Sequence, residues 1–123
     1  PQPTALPAAE LGGAEQLIRR GDAGRKLPAC AACHGERLTG AQPVVPGLLG
    51  LSRDYLNGQL GAWRSGQRRA QSPDCMAQIA RALTDTEINA ITQFLASRPL
   101  PADTHPVAAL PAPAPVACAG MAP

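Results

Sequence analysis

The chain has 123 residues, which is enough for one domain with one modest hydrophobic core. Aromatic residues make up 2% of the chain, so that core would be thin unless an apolar cofactor added bulk to it. The formal net charge of +2 comes without the concentrated basic stripe that nucleic-acid binding requires, and no apolar run approaches the length of a membrane span.

The first predicted elements are an N-terminal lead and one helix. Residues 1–10 are rich in proline and alanine, and we expect them to form an extended lead. A helix is predicted over about residues 12–20, with Leu17 and Ile18 on its buried side. The glycine-containing segment 21–24 ends this helix.

The sequence next reads Cys30-Ala31-Ala32-Cys33-His34, which is its most informative feature. A C-x-x-C-H sequence is typical of covalent haem attachment, in which both thiols add across haem vinyl groups. The two-residue spacing lets one helical turn present both sulfurs to one porphyrin edge, and the histidine follows as the proximal iron ligand. We therefore predict that Cys30 and Cys33 carry one haem c and that His34 ligates its iron.

A C-x-x-C pair also occurs in zinc sites and in redox-active dithiols. A zinc site needs a second ligand pair at close spacing, whereas Cys75 and Cys118 lie far apart in the sequence. A thioredoxin-like dithiol needs a βαβ setting, and the sequence has no strand-rich segment. Haem attachment is therefore the prediction, and a zinc-binding structural module is kept as an alternative.

A loop and two helices are predicted after the motif. Residues 35–51 are rich in glycine and proline, and a loop of this length in a compact domain usually wraps around something. Ser52 can cap a helix that ends at Gly66, with apolar residues at helical spacing at Tyr55, Leu56, Leu60 and Trp63. After a polar stretch at residues 67–73, a third helix contains Met76, Ile79, Ala80 and Leu83.

The last predicted helix begins with a capping box. Thr84 to Glu87 reads T-x-x-E, in which each side chain can bond the backbone N–H of the other residue. Pro99 ends the helix, because proline lacks the N–H that would continue it. The apolar face of this helix consists of Ile88, Ile91, Phe94 and Leu95.

The C-terminal segment, residues 99–123, holds seven prolines and many alanines. It cannot build a core and is expected to favour the polyproline II conformation. One interpretation is a disordered linker. The other is a tail tied back by a disulfide between Cys75 and Cys118, which would close a loop of about 43 residues. Two free thiols, or a bridge to another chain, remain as alternatives to that disulfide.

A haem iron with one histidine needs a sixth ligand, and three residues are candidates. Met76 lies in an apolar helical context, whereas Met121 and His105 lie in the proline-rich tail. We predict Met76 as the ligand, although methionine is most often a core gap-filler. Thioether ligation raises the reduction potential relative to a second histidine, and a filled sixth position disfavours oxygen or peroxide chemistry.

The ring of His34 also needs an acceptor for the N–H of its other nitrogen, because that hydrogen bond fixes the ring. The loop segment 43–48 is the obvious source of this acceptor. A proline there supplies a carbonyl without a competing N–H, and we predict Pro46. The alternative is that these prolines only stiffen the loop.

Taken together, the stretch from about Leu11 to Arg98 resembles class I bacterial cytochromes c. It is similar to the small single-haem forms and to one half of the two-haem c-four type. The resemblance is carried by residues 21–29 before the haem motif, by Gly35 directly after it, and by a set of later segments: 46–50, 55–56, 59–60, 63–66, Met76, 79–80 and 83–85. It implies an all-α fold of helices and loops wrapped around one covalent haem. It also divides the chain into the lead 1–10, a cytochrome c domain 11–98 and the tail 99–123.

The resemblance assigns roles to single residues. Cys30 and Cys33 would carry thioethers, His34 and Met76 would ligate iron, and Pro46 would accept from His34. Near the haem, Tyr55 and Trp63 would contact the haem or a propionate. Arg64 could neutralise a propionate, although an exposed arginine is the simpler interpretation. At the helix crossing, Gly13 would let the first helix cross the last against Phe94.

The chain departs from the family pattern at three places. Ile18 stands where an aromatic residue is usual, and Cys75 comes immediately before the predicted ligand methionine. The proline-rich tail with Cys118 lies outside the family pattern. A bridge between Cys75 and Cys118 would anchor this tail on the Met76 side of the haem.

The predicted function is one-electron transfer by a periplasmic carrier, which is not itself an enzyme. Redox partners, such as a dehydrogenase donor and an oxidase or cytochrome acceptor, would dock transiently around the exposed haem edge. Basic residues could guide an acidic partner, although exposed charges are mostly solvated: Arg25, Lys26, Arg68 and Arg69. We expect export with a signal peptide already removed before Pro1, since covalent haem attachment takes place outside the bacterial cytoplasm.

Two other functions stay open. The chain could be a permanent electron-accepting subunit of a periplasmic dehydrogenase complex, because an extended proline segment can lie along a partner chain. It could also be a ligand sensor or a small-molecule haem enzyme, which requires the sixth position of the iron to open.

Overall fold

The computed structural model describes residues 8–68 and 73–121, and these residues form five α-helices. The helices are α1 Ala8–Arg20, α2 Cys30–His34, α3 Arg53–Ser65, α4 Cys75–Ala82 and α5 Asp85–Ser97. A short 3-10 turn at Ala23–Arg25 precedes α2. Within the described ranges there is no strand, and β-type pairing is confined to isolated bridges. The predicted all-α fold class is confirmed.

The helices pack around one core. α1 contacts both α5 and α2, while α3 contacts both α4 and α5. The buried cluster takes residues from all of these elements except α2 and α4, whose partly buried apolar residues pack against it. Its members are Ala14, Ile18, Leu27, Leu38, Leu56, Leu83, Ile88, Ala90, Ile91, Phe94 and Leu95. The predicted apolar face of α5 is therefore buried.

The start of α1 differs from the prediction. The helix begins at Ala8, so the predicted extended lead is wrong for residues 8–10, while residues 1–7 lie outside the described part of the chain. The segment Ala8-Ala9-Glu10 consists of strong helix formers, which explains the earlier start. Part of the polar stretch 67–73, at residues 69–72, also lies outside the described residues.

The predicted helix ends are formed by local hydrogen bonds. The Ser52 hydroxyl accepts from the Tyr55 backbone N–H at 3.1 Å and so caps α3. At the start of α5 the capping box is complete: the Glu87 N–H donates to the Thr84 hydroxyl at 3.1 Å, and the Thr84 N–H donates to the Glu87 carboxylate at 2.8 Å. Gly66 ends α3 in the left-handed region.

Gly13 does not have the role that the resemblance implied. The residue is exposed, and a Cβ placed on it would meet no atom within 4 Å, so the backbone of α1 does not approach α5 closely at this point. Ala14 is the small residue of α1 that is buried, in the same cluster as Phe94. Gly13 instead lines an open groove of about 550 Å³ between α1, the 3-10 turn and α5.

None of the helices in the described ranges combines the length and the apolar character of a membrane span.

Candidate haem-binding site

The C-x-x-C-H motif forms the whole of α2. Cys33 and His34 are buried, while Cys30 is half-buried and packs against the core cluster. Gly35 ends the helix at a φ of 88°, with its N–H bonded to the Ala31 carbonyl at 3.0 Å. One helical turn therefore holds both thiols and the imidazole, as the spacing of the motif predicts.

The thiols of Cys30 and Cys33 are free, and burial sets their chemistry. Burial raises the pKa of Cys30 to about 11 and also raises the pKa of Cys33 above its usual value. A redox-active dithiol has a thiol with a lowered pKa, which makes it a thiolate at neutral pH. This pair has the opposite character, so the arrangement disfavours a reactive dithiol. Protonated thiols are the groups that add, as S–H, across a vinyl double bond.

The ring of His34 is held by the loop. Its Nδ1 lies 2.8 Å from the Pro46 carbonyl oxygen, which can only accept a hydrogen bond. Nδ1 must therefore carry the proton and donate it. Burial lowers the pKa of His34, which favours the neutral ring, and its Nε2 then keeps an unprotonated lone pair. An unprotonated ring nitrogen of this kind is the atom through which histidine binds a metal ion.

Residues 35–51, here named the haem loop, are folded back so that Pro46 reaches the histidine. The Gly40 N–H donates to the His34 carbonyl at 2.8 Å. Ala41 and Val45 exchange two backbone hydrogen bonds of 3.0 Å in an antiparallel bridge. This bridge ends next to Pro46 and so fixes the position of its carbonyl.

Two buried N–H groups on α3 find no acceptor among the residues that the structure describes. They are Nε of Arg53 and Nε1 of Trp63. A buried donor without a partner is costly, and an acidic group such as a haem propionate would satisfy it. Together these groups fit a haem. The two thiols of α2 would attach it, the lone pair of His34 would bind its iron, and the two N–H groups would bind its propionates.

Arg53 was not singled out by the sequence analysis, although a signal was available. It is the first residue of α3, and a cation is unfavourable at a helix N-terminus because of the helix dipole. An anion near Arg53 would offset this unfavourable interaction. Arg64, for which the resemblance allowed contact with a propionate, forms an ion pair with Asp85.

The two predicted aromatic residues of the site both lie on α3 but differ in surroundings. Trp63 is half-buried, and the guanidinium of Arg68 stacks over its ring at 4.0 Å. Tyr55 is 51% exposed, and its backbone N–H takes part in the cap of α3. Arg69, one of the predicted guiding charges, lies outside the described residues.

The candidates for the sixth ligand are placed differently. Met76 is half-buried in the first turn of α4, the helix that packs on α3. The side chain of His105 is 90% exposed, and its Nδ1 lies 3.0 Å from Oδ1 of Asp103. Met121 is half-buried and lies near the end of the tail. An exposed, carboxylate-bonded imidazole is poorly suited to a buried iron, which leaves the two methionines.

The comparisons with known proteins agree with this chemistry. A family model described as Cytochrome c matches residues 21–99. The chain belongs to the cytochrome c family. It is therefore a class I c-type cytochrome with a covalent haem c, the group through which this family transfers electrons.

Three proteins show what this cytochrome c is similar to. A protein of Thiomonas intermedia (strain K12) named "Thiosulfate dehydrogenase electron acceptor" is 38% identical over 100 residues, which cover 81% of this chain and 45% of that protein. The chain thus spans less than half the length of this curated relative. A solved thiosulfate dehydrogenase from Marichromatium purpuratum matches with a TM-score of 0.70 and 36% identity, over 78% of this chain and 21% of that one. Reduced cytochrome c4 from Pseudomonas stutzeri matches with a TM-score of 0.62 and 28% identity, and the match covers 72% of this chain and 48% of the cytochrome c4 chain.

Proposed function

We propose that this cytochrome c transfers single electrons with its iron held between His34 and Met76. Thioethers at Cys30 and Cys33 attach the haem, which supplies an iron that alternates between the ferric and ferrous states. The observation that carries the proposal is the hydrogen bond from Nδ1 of His34 to Pro46, because it leaves Nε2 as the coordinating atom. The imidazole is held in one orientation by that bond, and burial excludes water from it.

Met76 would complete the ligand set from α4. Its thioether favours ferrous iron and closes the sixth position to oxygen and peroxide. A closed site supports electron transfer, whereas an open site would support ligand sensing or haem catalysis. Arg53 and Trp63 would donate to the propionates and so offset the burial of their charge.

Matched variants test the ligand set. In the Met76→Ala variant we expect the weak long-wavelength band of sulfur-to-iron ligation to disappear from the ferric spectrum, and carbon monoxide to bind readily to the reduced protein. The Met121→Ala variant is the control and is expected to keep the wild-type spectrum. The reverse result would move the sixth ligand to the tail. A wild-type protein that binds carbon monoxide readily would favour the sensor alternative.

We propose a periplasmic dehydrogenase as the electron donor, with a thiosulfate dehydrogenase as the specific candidate. The similar protein of Thiomonas is named an electron acceptor of that enzyme, and part of the Marichromatium thiosulfate dehydrogenase chain is itself similar to this chain. The second likeness favours a lasting association with a dehydrogenase over a freely diffusing carrier. The Cys75–Cys118 disulfide supports the periplasm, because such bridges persist in oxidising compartments.

Rapid-mixing absorption measurements test the donor. We expect the ferric haem to be reduced when a thiosulfate dehydrogenase and thiosulfate are added together, and not when either is added alone. If no reduction follows while a small chemical reductant still reduces the haem, the donor assignment fails and the electron-carrier assignment remains. Elution at a constant ratio with the dehydrogenase on gel filtration would separate a subunit from a shuttle.

A further inference from the structure

The C-terminal tail is fixed to the haem loop through its backbone. The Val107 N–H donates to the Gly40 carbonyl at 3.0 Å, and its carbonyl accepts from the Gln42 N–H at 2.9 Å. These two bonds form a parallel bridge that centres on Ala41. The tail is therefore not a linker that leaves the domain after α5, because one of its middle residues is bonded to the body of the protein.

The segment that receives Val107 belongs to the part of the loop that orients the histidine. Gly40 also donates its N–H to the His34 carbonyl, and Ala41 pairs with Val45 directly before Pro46. A Cβ on Gly40 would lie 2.6 Å from the Val45 carbonyl oxygen, so this part of the loop is closely packed. The tail is thus fixed to a closely packed part of the loop on the His34 side of the site.

The other end of the tail is fixed beside the proposed sixth ligand. Cys118 forms a disulfide with Cys75, which is the first residue of α4 and the residue before Met76. Next to this bridge, the Ala119 N–H donates to the Pro73 carbonyl at 3.1 Å. The tail is therefore bonded to the first residue of α4 and also to the chain just before this helix.

We propose that the Cys75–Cys118 disulfide is a positioning clamp for Met76. The clamp ties the first turn of α4 to a tail whose second fixed point is Val107 on the haem loop. It restricts the conformations in which α4 moves away from the iron, and so lowers the population of the form with Met76 detached. This inference rests on the proposed ligation by His34 and Met76.

Imidazole binding to the ferric holoprotein measures that population, because imidazole binds iron only where the methionine has left it. In the Cys75→Ser/Cys118→Ser variant we expect the imidazole affinity to rise about tenfold, which corresponds to about 1.4 kcal/mol. The control is Asp103→Asn, which removes the 3.3 Å ion pair of the tail with Arg37 but keeps the bridge. Its imidazole affinity is expected to remain within about twofold of wild type.

The result that would overturn the clamp is a double variant that unfolds more easily but binds imidazole as weakly as the wild type. The disulfide would then stabilise the fold without positioning the methionine. Failure of the proposed ligation gives a different result, since the sulfur-to-iron band would then survive the Met76→Ala substitution.

A second measurement serves if the double variant does not mature. Ascorbate-reduced protein, which keeps the bridge, is compared with protein treated with a dithiol. The dithiol passes two electrons and two protons to the bridge, which becomes two thiols, while the dithiol closes to a cyclic disulfide. We expect carbon monoxide to bind about tenfold more tightly to the ferrous protein with the open bridge, and equal affinities would refute the clamp.

Discussion

Replacing Gly13 with alanine tests whether α1 crosses α5 by a close glycine contact. In the structure a Cβ at this position meets nothing within 4 Å, and the residue faces an open groove. The added methyl group therefore costs no packing energy. Glycine within a helix is less stable than alanine by about 0.5–1 kcal/mol, so Gly13→Ala is expected to stabilise the protein by about that amount. For a chain of this length the melting temperature would rise by roughly 2–5 °C.

The assay is urea denaturation of the holoprotein, followed by far-ultraviolet circular dichroism, with the m-value expected to stay constant. Gly21→Ala is the contrasting control, because Gly21 has a φ of 69° and a Cβ there would lie 2.3 Å from the Leu27 carbonyl oxygen. That variant is expected to lose about 1–3 kcal/mol. If Gly13→Ala also destabilised the protein by about 1 kcal/mol or more, the open groove would be wrong and a close helix crossing would be right.

Three further predictions concern the Cys75–Cys118 disulfide, the Arg25–Glu87 ion pair and the half-buried Arg53. Cys118→Ser opens the 43-residue loop that the disulfide closes, so the unfolded chain gains conformational entropy. The free energy of unfolding should fall by up to about 4 kcal/mol in urea titrations, and an unchanged value would refute this entropic origin of the stabilisation. The guanidinium of Arg25 lies 2.6 Å from a carboxylate oxygen of Glu87 and lowers the pKa of Glu87 to about 2. The unfolded chain therefore binds a proton at Glu87 more readily than the folded chain does. Stability from this pair should be present above about pH 4.5 and be lost as the pH falls toward 2; Arg25→Gln should reduce that loss in acid titrations but not remove it, because the Thr84 hydrogen bonds also lower the pKa of Glu87. Arg53→Gln should lower the reduction potential in voltammetry, because it removes a positive charge beside the proposed position of the propionates, whereas Arg64→Gln should leave the potential unchanged.

The local features of the fold could be read from the sequence. The Thr84–Glu87 capping box, the Ser52 cap and the Gly66 stop each depend on residues within one helical turn. Such signals need no knowledge of the rest of the chain. The site motif is local in the same sense, since Cys33 and His34 share one turn of α2.

The features that the sequence did not predict arise from contacts between distant segments. The bridge of Val107 to Gly40 and Gln42 consists of backbone hydrogen bonds, which leave no side-chain pattern to recognise. The role assigned to Gly13 came from the resemblance, and it fails because the packing falls on the neighbouring Ala14. Glycine at a helix crossing is identified only when the facing helix is in place.

Another property follows from the Val107 bridge. Both its N–H and its carbonyl are used by the haem loop, so the small ladder formed by Ala41 and Val45 has its outer edge covered. An uncovered edge presents unpaired N–H and C=O groups that can pair with a second molecule. The tail thereby keeps the Gly40 carbonyl and the Gln42 N–H paired, and a chain cut before Val107 would present both groups to neighbouring molecules.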